Sequence, residues 1–473
     1  MTGKRNVPVL LMSLLTSFLF STGYANDISN AISPKGDISS IVFCKSIKIH
    51  GQEFKVENNL KDISQALYLA INYQQWPDVI CFLSVYQKLP GHDVILVNFA
   101  QGGLARREGN LTLAASLYQK ILRQKPDFTR IKLELARVYF EDHKNREAKQ
   151  LMVELSKQHQ LPKIVLKNID GYIKAITQRN RWHSSFSLSY IYDDNINMSP
   201  NMKPDCLLVS KGECKIEREI PKAIKEWGSA YHVTLNRRYQ LVGHHGIFGR
   251  GMIDGEVYPH YHSGNENTFL LVSGYNFKNR NHSLSFAPLF EYKQQAGITE
   301  YHAVAAKIEW QWAISDQTFL SAEFEHKWLS YQPLYHWKNG ELSSSYFNLS
   351  HAISNDFILF GGTGWSHRNN QQPAARYQQW GVTAGIAGTL YSGIDGSLFA
   401  TLKTQHFGAY SALLGAKRQD NEQIYTASIK FPANKILGMT PSVTFRHLHN
   451  RSNVSWQYSY DKNEVQIQLE KYF

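Results

Sequence analysis

The feature that most constrains the fold is an alternation of apolar and polar residues that recurs from Trp182 to the C-terminus. In the segment 301–312, apolar or aromatic side chains occupy every second position, and Lys307, Glu309 and Gln311 lie between them. A period of two places successive side chains on opposite faces of a β-strand. One face of this strand therefore carries charges that require water, while the other face is apolar.

The same two-faced pattern repeats in strand after strand of this region, for example in 320–328 and 425–431. The strands are near ten residues long, and aromatic residues make up 13% of the chain. These features favour a transmembrane barrel over a soluble sandwich, because a barrel needs aromatic girdles and a polar interior. We therefore predict an antiparallel outer-membrane β-barrel over residues 181–473, with about fourteen strands. The predicted strands start near residues 182, 228, 246, 267, 281, 299, 317, 342, 356, 375, 394, 421, 439 and 463.

The polar strand faces predict which side chains line the barrel lumen. An even strand count would place the start of the first strand and the end of the last strand on the periplasmic side. Short turns such as Ser315-Asp316 and Ser354-Asn355 would lie on that side, and longer loops would lie outside. A charged lumen face is compatible with an aqueous conduit and equally with a plugged barrel. The lumen-facing candidates are Lys307, Glu309, Glu323, Glu325 and Lys327.

A helical period replaces this alternation upstream, from about residue 60 to residue 178. Small residues at Gly102 and Ala114 recur 34 residues later as Ala136 and Ala148, which is the spacing of a tetratricopeptide repeat. Small residues let paired helices approach, and Pro126 ends the second helix. We predict an all-α, tetratricopeptide-like periplasmic domain over residues 60–180, preceded by an extension over residues 26–59.

The groove of such a repeat is lined by the first helix of each pair. This placement makes Arg106, Arg130 and Arg137 candidates to contact a client protein or another acidic partner. The alternative for each is a solvated surface arginine, which contributes little by itself.

The first 25 residues predict a secretory signal peptide. Lys4 and Arg5 precede an apolar stretch, and small residues surround a cleavage site after Ala25. An N-terminal membrane anchor is the alternative, although the apolar core is short for a spanning helix. No later run of 18 or more apolar residues occurs and the mean hydropathy is -0.37, which excludes a helical membrane protein.

The four cysteines suit an oxidising compartment, where disulfides form. Cys206 and Cys214 lie close together in a polar segment and are the candidate disulfide, since a bridge there would close a loop. A zinc site at these two positions lacks both the usual spacing and a nearby histidine. Cys44 and Cys81 either pair across the N-terminal domain or are simply buried.

Signatures of catalysis, nucleotide binding and cofactor binding are not found in the sequence. The histidine pairs 260/262 and 447/449 lack neighbouring carboxylates at ligand spacing, so we expect no metal site. The net charge of +12 is spread over both halves without a nucleic-acid motif, and we expect no nucleic-acid partner. We therefore expect a protein that is not an enzyme and needs no cofactor.

The architecture and one motif point to a family. A short tetratricopeptide domain fused to a barrel, whose first strand ends in Tyr192-Asp193-Asp194-Asn195-Ile196-Asn197, resembles the Slam family, the surface lipoprotein assembly modulators of Gram-negative bacteria. The likeness covers nearly all of the mature chain. The terminal Phe473 on the last strand also resembles the assembly signal by which the barrel-assembly machinery recognises outer-membrane barrels.

This resemblance implies an outer-membrane translocator that delivers particular lipoproteins or secreted proteins, often haem- or metal-acquisition proteins, from periplasm to surface. The helical domain would meet the client or a periplasmic chaperone, and the barrel, embedded in outer-membrane lipid, would supply the path. Three other functions remain open: a solute channel or receptor, a polysaccharide exporter, and a structural scaffold anchored by the barrel.

Overall fold

The computed structural model describes residues 44–158, 161–202, 206–391 and 393–473. These residues form two compact units, which meet in sequence between His92 and Asp93. The predicted signal peptide, residues 1–25, lies outside the described residues, as does the predicted extension up to residue 43.

The first unit is a β-hairpin followed by two helices. The hairpin consists of β1 (Ser46–Ile49) and β2 (Gln52–Lys55), and the helices are α1 (Leu60–Asn72) and α2 (Trp76–Tyr86). A disulfide joins Cys44 to Cys81, with 6.1 Å between the Cα atoms, and so ties the residue before the hairpin to α2. The two helices pack through fully buried apolar side chains, including Leu67, Ala70, Val79 and Phe82.

The second unit begins with five further helices. They are α3 (Val94–Arg107), α4 (Leu111–Gln124), α5 (Thr129–Glu141), α6 (Asn145–Ser156) and α7 (Lys163–Arg179). They form two helical hairpins, α3–α4 and α5–α6, followed by α7. Helix α4 ends at Gln124, just before the residue that precedes Pro126, because proline disfavours a helical conformation at the preceding residue. The core of α5, α6 and α7 is formed by Ala136, Met152, Leu155 and Ile169.

The 34-residue spacing places small residues where helices come closest. Ala114, Ala136 and Ala148 are completely buried. A Cβ atom added to Gly102 on α3 would lie 2.4 Å from the ring of Tyr118 on α4, so glycine is required at this contact. The helical repeat predicted from the sequence is confirmed by this packing.

The rest of the second unit is a closed antiparallel barrel of fourteen strands, as predicted. Each strand pairs with its neighbour in sequence order, and the last strand pairs with the first. The barrel strands are β3 (His183–Asp193), β6 (Glu226–Gln240), β7 (His245–Val257), β8 (Glu266–Lys278), β9 (His282–Gln295), β10 (Ile298–Ala313), β11 (Thr318–Tyr331), β12 (Gly340–Ala352), β13 (Phe357–Asn370), β14 (Tyr377–Tyr391), β15 (Ile394–Phe407), β16 (Gln419–Lys430), β17 (Thr440–Ser452) and β18 (Tyr460–Tyr472). A separate hairpin of β4 (Cys206–Ser210) and β5 (Glu213–Glu217) lies in the connection between β3 and β6, and a single helical turn, α8 (Ser455–Tyr458), lies between β17 and β18.

The two ends of the barrel differ in the length of their connections. We call the end where β3 starts and β18 finishes the terminal end, and the opposite end the loop end. Short turns such as 241–244, 314–317 and 353–356 close the terminal end, whereas the connection 194–225 lies at the loop end. This is the asymmetry of outer-membrane barrels, which have short periplasmic turns and longer external loops.

The outer face of the barrel is apolar. Val304 and Ile308 on β10 are 51% and 40% exposed, and Trp310 stacks on Trp312 near the terminal end of the same strand. Near the loop end, Tyr190 stacks on Trp227, so aromatic side chains flank the apolar belt on both sides. Among the described residues, no helix is long and apolar enough to cross a membrane.

Candidate functional site

The inner face of β10 and β11 carries a continuous network of ion pairs. Lys307 Nζ lies 2.8 Å from Glu323 Oε1, 3.3 Å from Glu309 Oε1 and 3.8 Å from Glu325 Oε2. Lys327 Nζ lies 3.1 Å from Glu325 Oε1. The five side chains that the alternation predicted for the lumen therefore lie together on one wall.

Two residues on other strands, one on β7 and one on β9, extend this network. Arg250 on β7 donates to Glu309 at 3.0 Å, and Glu291 on β9 accepts from Lys327 at 2.6 Å. Three cations thus face four carboxylates, and the side chain of Lys327 is only 2% exposed. Because buried ions are costly unless paired, these charges act as mutual partners that fix strands β7 to β11 relative to one another.

A further stretch of the inner face, on β12 to β15, carries hydroxyl side chains. Its side chains are short and form hydroxyl pairs, such as Ser344 with Ser366 at 3.1 Å and Thr383 with Thr401 at 2.9 Å. A Cβ atom added to Gly364 would lie 2.8 Å from the ring of Tyr346, so the glycine leaves room for this inward aromatic residue. The lumen therefore combines the ion-pair network of β7 to β11 with hydroxyl pairs on β12 to β15, and a separate ion pair, Lys403 with Glu422 at 2.8 Å, lies on β15 and β16.

The acidic motif at the end of β3 fastens the first strand to the last. Asp193 is completely buried and forms an ion pair with Lys462 of β18. Asp194 accepts from the backbone and side-chain nitrogens of Asn463 at 2.7 and 2.8 Å. These side chains lie at the loop end of the β3–β18 seam, where the barrel closes.

The two asparagines of the motif hold the long connection 194–225 in place. The Asn195 side chain bonds Ser199 and donates to the backbone oxygen of Asp461 at 2.8 Å. The Asn197 side chain accepts from Ile224 N and donates to Lys222 O, both at 2.9 Å. The motif Asp193-Asp194-Asn195-Ile196-Asn197 is thus a clasp between the strand seam and the base of the loop.

The tip of this connection is the β4–β5 hairpin. A disulfide joins Cys206 to Cys214 across it, with 5.7 Å between the Cα atoms. Below the hairpin, the Arg218 guanidinium lies 3.8 Å from the centre of the Trp456 ring in α8. The covalent bridge and the cation–π contact limit the conformations of a loop that would otherwise be long and unstructured.

The three arginines expected in the repeat groove meet on one glutamate. Glu134 is buried, and its two oxygens lie 3.2 to 3.3 Å from Arg106, Arg130 and Arg137. Arg106 also pairs with Glu141. Burial alone would lower the pKa of Arg106, but Glu141 and Glu134 hold it above its usual value. The arginines are therefore organised by carboxylates of α5 and are not independent surface charges.

The helices contact the barrel through the turn between α5 and α6, at the terminal end. His244 Nε2, in the turn before β7, lies 2.8 Å from Asp142 Oδ2. Glu147 accepts from the Gly243 amide at 2.6 Å, and the Asn145 side chain contacts that of Gln240 at 3.5 Å. We call this set of contacts, with Arg179 donating to Asn145 at 2.9 Å, the joint.

Two groups of the joint have displaced pKa values. Burial would raise the pKa of Asp142, but hydrogen bonds from His244 and Lys144 hold it below its usual value. His143 is surrounded by cations, and burial together with Lys278, Arg179 and Arg238 lowers its pKa to about 2. The joint therefore contains a carboxylate that stays ionised and a histidine that stays neutral.

Sequence reasoning did not identify the residues of the joint. Asp142 follows α5, and Asn145 and Glu147 lie in the first turn of α6; nothing in their spacing shows that a barrel turn contacts them. The one available signal was Arg179, the first residue of the basic stretch at which the period changes from helix to strand.

The histidine pairs considered as metal ligands make separate contacts. His260 bonds Glu226 at 2.7 Å, and His447 and His449 contact Asn463 and Asp461. Within the part of the chain that the structure describes, no three His, Cys, Asp or Glu side chains are placed to hold one metal ion.

Family models match both parts of the chain. Residues 182–473 match the model of the surface lipoprotein assembly modifier, and residues 49–152 match the model of its N-terminal tetratricopeptide repeats. The two matches together cover the complete barrel and the helical region up to residue 152.

Relatives align over almost the full length. The hemophilin secretion modulator of Acinetobacter baumannii is 34% identical over 453 residues, which cover 93% of this chain and 91% of the relative. The surface lipoprotein assembly modifiers of Neisseria meningitidis (22% identical) and Pasteurella multocida (24% identical) cover 91% and 87% of the chain, and 86% and 83% of their own lengths. This chain belongs to the surface lipoprotein assembly modifier family.

Proposed function

We propose that this protein is an outer-membrane translocator that delivers specific lipoproteins or secreted proteins from the periplasm to the cell surface. The observation that carries the proposal is the joint, which holds a helical repeat against the terminal end of a polar-lined barrel. A binding module in this place can present a polypeptide to the barrel, whereas a simple porin needs no such module.

The orientation follows from the two barrel ends. Short turns close the terminal end, which in outer-membrane barrels faces the periplasm. The helical repeat joins the barrel at this end, so we place the N-terminal domain in the periplasm. The disulfide-bridged hairpin β4–β5 then lies outside the cell, where a folding client would emerge.

The class of client is suggested by the relatives. One relative is named for the secretion of hemophilin and others for the assembly of surface lipoproteins. We propose a haem- or metal-acquisition protein as the client of this chain. A periplasmic chaperone would deliver the client, and the barrel-assembly machinery would insert the barrel itself through β18 and its terminal Phe473.

The arginines around Glu134 are the proposed client contact within the repeat. Three cations, Arg106, Arg130 and Arg137, share the carboxylates of Glu134 and Glu141, which leaves a net charge of +1. Arg130 is the most exposed of the three, with 42% of its side chain accessible. Such a cluster favours an acidic segment of the client or its chaperone.

Protease shaving of intact cells, with and without the gene, tests the translocator function. Loss of one surface protein together with its accumulation in the periplasm supports delivery and identifies the client. Unchanged surface exposure together with reduced uptake of small solutes would show a channel instead. Loss of surface polysaccharide with all surface proteins intact would show an exporter.

Charge reversal of the lumen tests whether the barrel is the path. Glu309→Lys with Glu323→Lys breaks the ion-pair network, whereas Glu154→Lys with Asp170→Lys makes the same charge change on exposed helix positions. We expect client display to fall only in the lumen variant, at equal amounts of folded barrel. Full display by a folded lumen variant would contradict the conduit.

A further inference from the structure

The joint contains more positive charge than its carboxylates balance. Arg179 of α7 and Arg238 of β6 flank two buried amides, Asn145 and Gln240, that contact each other. Lys278, the last residue of β8, shares the inner barrel face with Asn276, to which Arg238 Nε donates at 2.5 Å. Three cations from three elements therefore border one polar cluster.

These cations have neutral partners. Arg179 donates to Phe140 O at 3.0 Å and to Asn145, and its guanidinium lies 3.9 Å from the centre of the Phe140 ring. Arg238 donates to the side chains of Asn276 and Gln240 and to His244 O at 3.0 Å. Within the described residues, no carboxylate oxygen lies within 4.0 Å of the charged nitrogens of Arg179, Arg238 or Lys278.

The carboxylates of the joint are already engaged elsewhere. Asp142 pairs with Lys144 at 3.1 Å and with His244 at 2.8 Å, and Glu147 accepts from the backbone of Gly243. Withdrawing cations from water without a counter-charge is unfavourable, so an arrangement of this kind gains free energy when an anion enters.

The cluster is partly withdrawn from water, and packing fixes the position of Arg238. The pKa of Arg179 is lowered to about 10 by burial, and His143 is kept neutral by burial and by the neighbouring cations. A Cβ atom added to Gly246 would lie 2.8 Å from the Arg238 guanidinium, so glycine leaves the space that this side chain occupies.

We infer that the cluster formed by Arg179, Arg238 and Lys278 is a binding site for the carboxylates of an acidic polypeptide segment at the entrance to the barrel. This inference rests on the proposed function, because it assigns the segment to a client on its way into the lumen. The cations are spread over α7, β6 and β8, an arrangement that suits successive carboxylates of an extended chain better than one small anion.

Helix α5 connects this site to the arginines of the repeat. Arg130, Glu134, Arg137 and Glu141 follow one another at intervals of four, three and four residues, and therefore share one helix face. Asp142 and His143, which directly follow α5, belong to the joint. This helix face, on which Arg130 and Arg137 alternate with Glu134 and Glu141, runs from the arginines of the repeat to the joint.

The inference is tested by binding to the purified full-length protein in detergent micelles. The probe is a fluorescent peptide of alternating glutamate and glycine, and the matched probe has glutamine in place of glutamate. Fluorescence anisotropy measures the affinity at low and high salt. We expect only the glutamate peptide to bind, and more weakly at high salt because exposed charges are screened.

Lys278→Gln removes one cation whose ammonium group forms no ion pair within the described residues. The barrel of this variant should therefore still fold, and the heat-dependent mobility shift on a gel verifies that it does. Lys174→Gln on α7 makes the same change at a position 73% exposed and is the matched control. We expect the affinity for the glutamate peptide to fall about tenfold in Lys278→Gln and to stay unchanged in Lys174→Gln.

Three outcomes would overturn the inference. They are equal binding of the glutamine peptide, equal losses in the two variants, and binding of inorganic phosphate without binding of the peptide. Since the measurement uses purified protein, a negative result would leave surface display in cells, and with it the proposed function, unaffected.

Discussion

His244 and Asp142 lie 2.8 Å apart, and this contact joins a barrel turn to the end of a repeat helix. Three further contacts lie at the same junction. Lys144 forms an ion pair with Asp142, the Gly243 amide donates to Glu147, and the side chains of Asn145 and Gln240 are hydrogen-bonded. At this junction the repeat is therefore held to the barrel by polar contacts that respond to charge and pH.

Acidification should loosen the joint. An unfolded histidine takes up a proton near pH 6.5, whereas His143 does so only at about 2 in the folded protein. The folded state thus binds fewer protons in this window, and its stability falls as the pH drops below 6.5. Asp142 has a lowered pKa, so its contribution is present above the unfolded value of 3.8 and is lost at still lower pH.

The measurement is hydrogen exchange of the Gly243 amide in full-length protein at neutral pH and near pH 5. We expect faster exchange at the lower pH, and a smaller effect of pH in His143→Gln, which cannot take up this proton. Exchange that is equally slow at both pH values would show that the neutral histidine does not limit the joint.

Helix packing in the repeat should tolerate no side chain at position 102. Gly102→Ala places a methyl group against Tyr118 and should lower the free energy of unfolding by about 1–3 kcal/mol. Gly171→Ala on α7 meets no atom within 4 Å and should raise it by about 0.5–1 kcal/mol. Urea unfolding followed by far-UV circular dichroism measures both, and opposite signs are the expected result.

Glu134 should be the most important carboxylate of the repeat. Glu134→Gln leaves Arg106, Arg130 and Arg137 without their shared partner and should destabilise the helices by about 3 kcal/mol or more. Glu154→Gln removes the exposed partner of Lys132 and should cost at most about 1 kcal/mol. The same unfolding measurement compares them, and similar losses would argue against a special role of Glu134.

The ion pairs of the lumen should stabilise the barrel as a group. Lys327→Met leaves Glu291 without its ion-pair partner and Glu325 with only Lys307 at 3.8 Å, and it should cost about 3–5 kcal/mol in barrel unfolding. Adding Glu291→Gln should recover part of this loss, since one uncompensated carboxylate is then neutral. Lys417→Met, at an exposed loop position, is the control and should have no measurable effect.

The clasp at the seam should control the heat resistance of the barrel. Asp194→Ala removes both hydrogen bonds to Asn463 and should lower the temperature of the mobility shift on a denaturing gel by roughly 5 °C or more. Asp316→Ala changes an exposed turn carboxylate and should leave this temperature unchanged. A shift of equal size in both variants would mean that the clasp contributes nothing specific to barrel closure.

Local periodicity was sufficient to predict the fold. All fourteen predicted strands begin within a few residues of the observed ones. Each strand has one face in contact with water and one face in apolar surroundings, and this produces an alternation that can be read from the sequence. The repeat was recognisable for a similar reason, since helices that pack closely need small residues at a regular spacing, as at Gly102 and Ala136.

Side-chain partners were less accessible to sequence reasoning. The alternation places Lys307 and Glu309 on one strand face, but the contact of Arg250 with Glu309 joins β7 to β10, between which two other strands lie in the sheet. Arg106, Arg130 and Arg137 were predicted as separate groove residues. Arg130 and Arg137 contact Glu134 within α5 at spacings of four and three residues, whereas the contact of Arg106 with Glu134 depends on the packing of α3 against α5.

The sequence by itself determined a helical repeat followed by a fourteen-stranded barrel, because periods of 3.6 and 2 act over neighbouring residues. The tertiary structure alone decided where distant charges meet. Asp193 with Lys462, Asp142 with His244, and Arg179 beside Arg238 are brought together by barrel closure and by docking of the repeat. Contacts over such separations depend on how whole elements pack, and no local pattern encodes that packing.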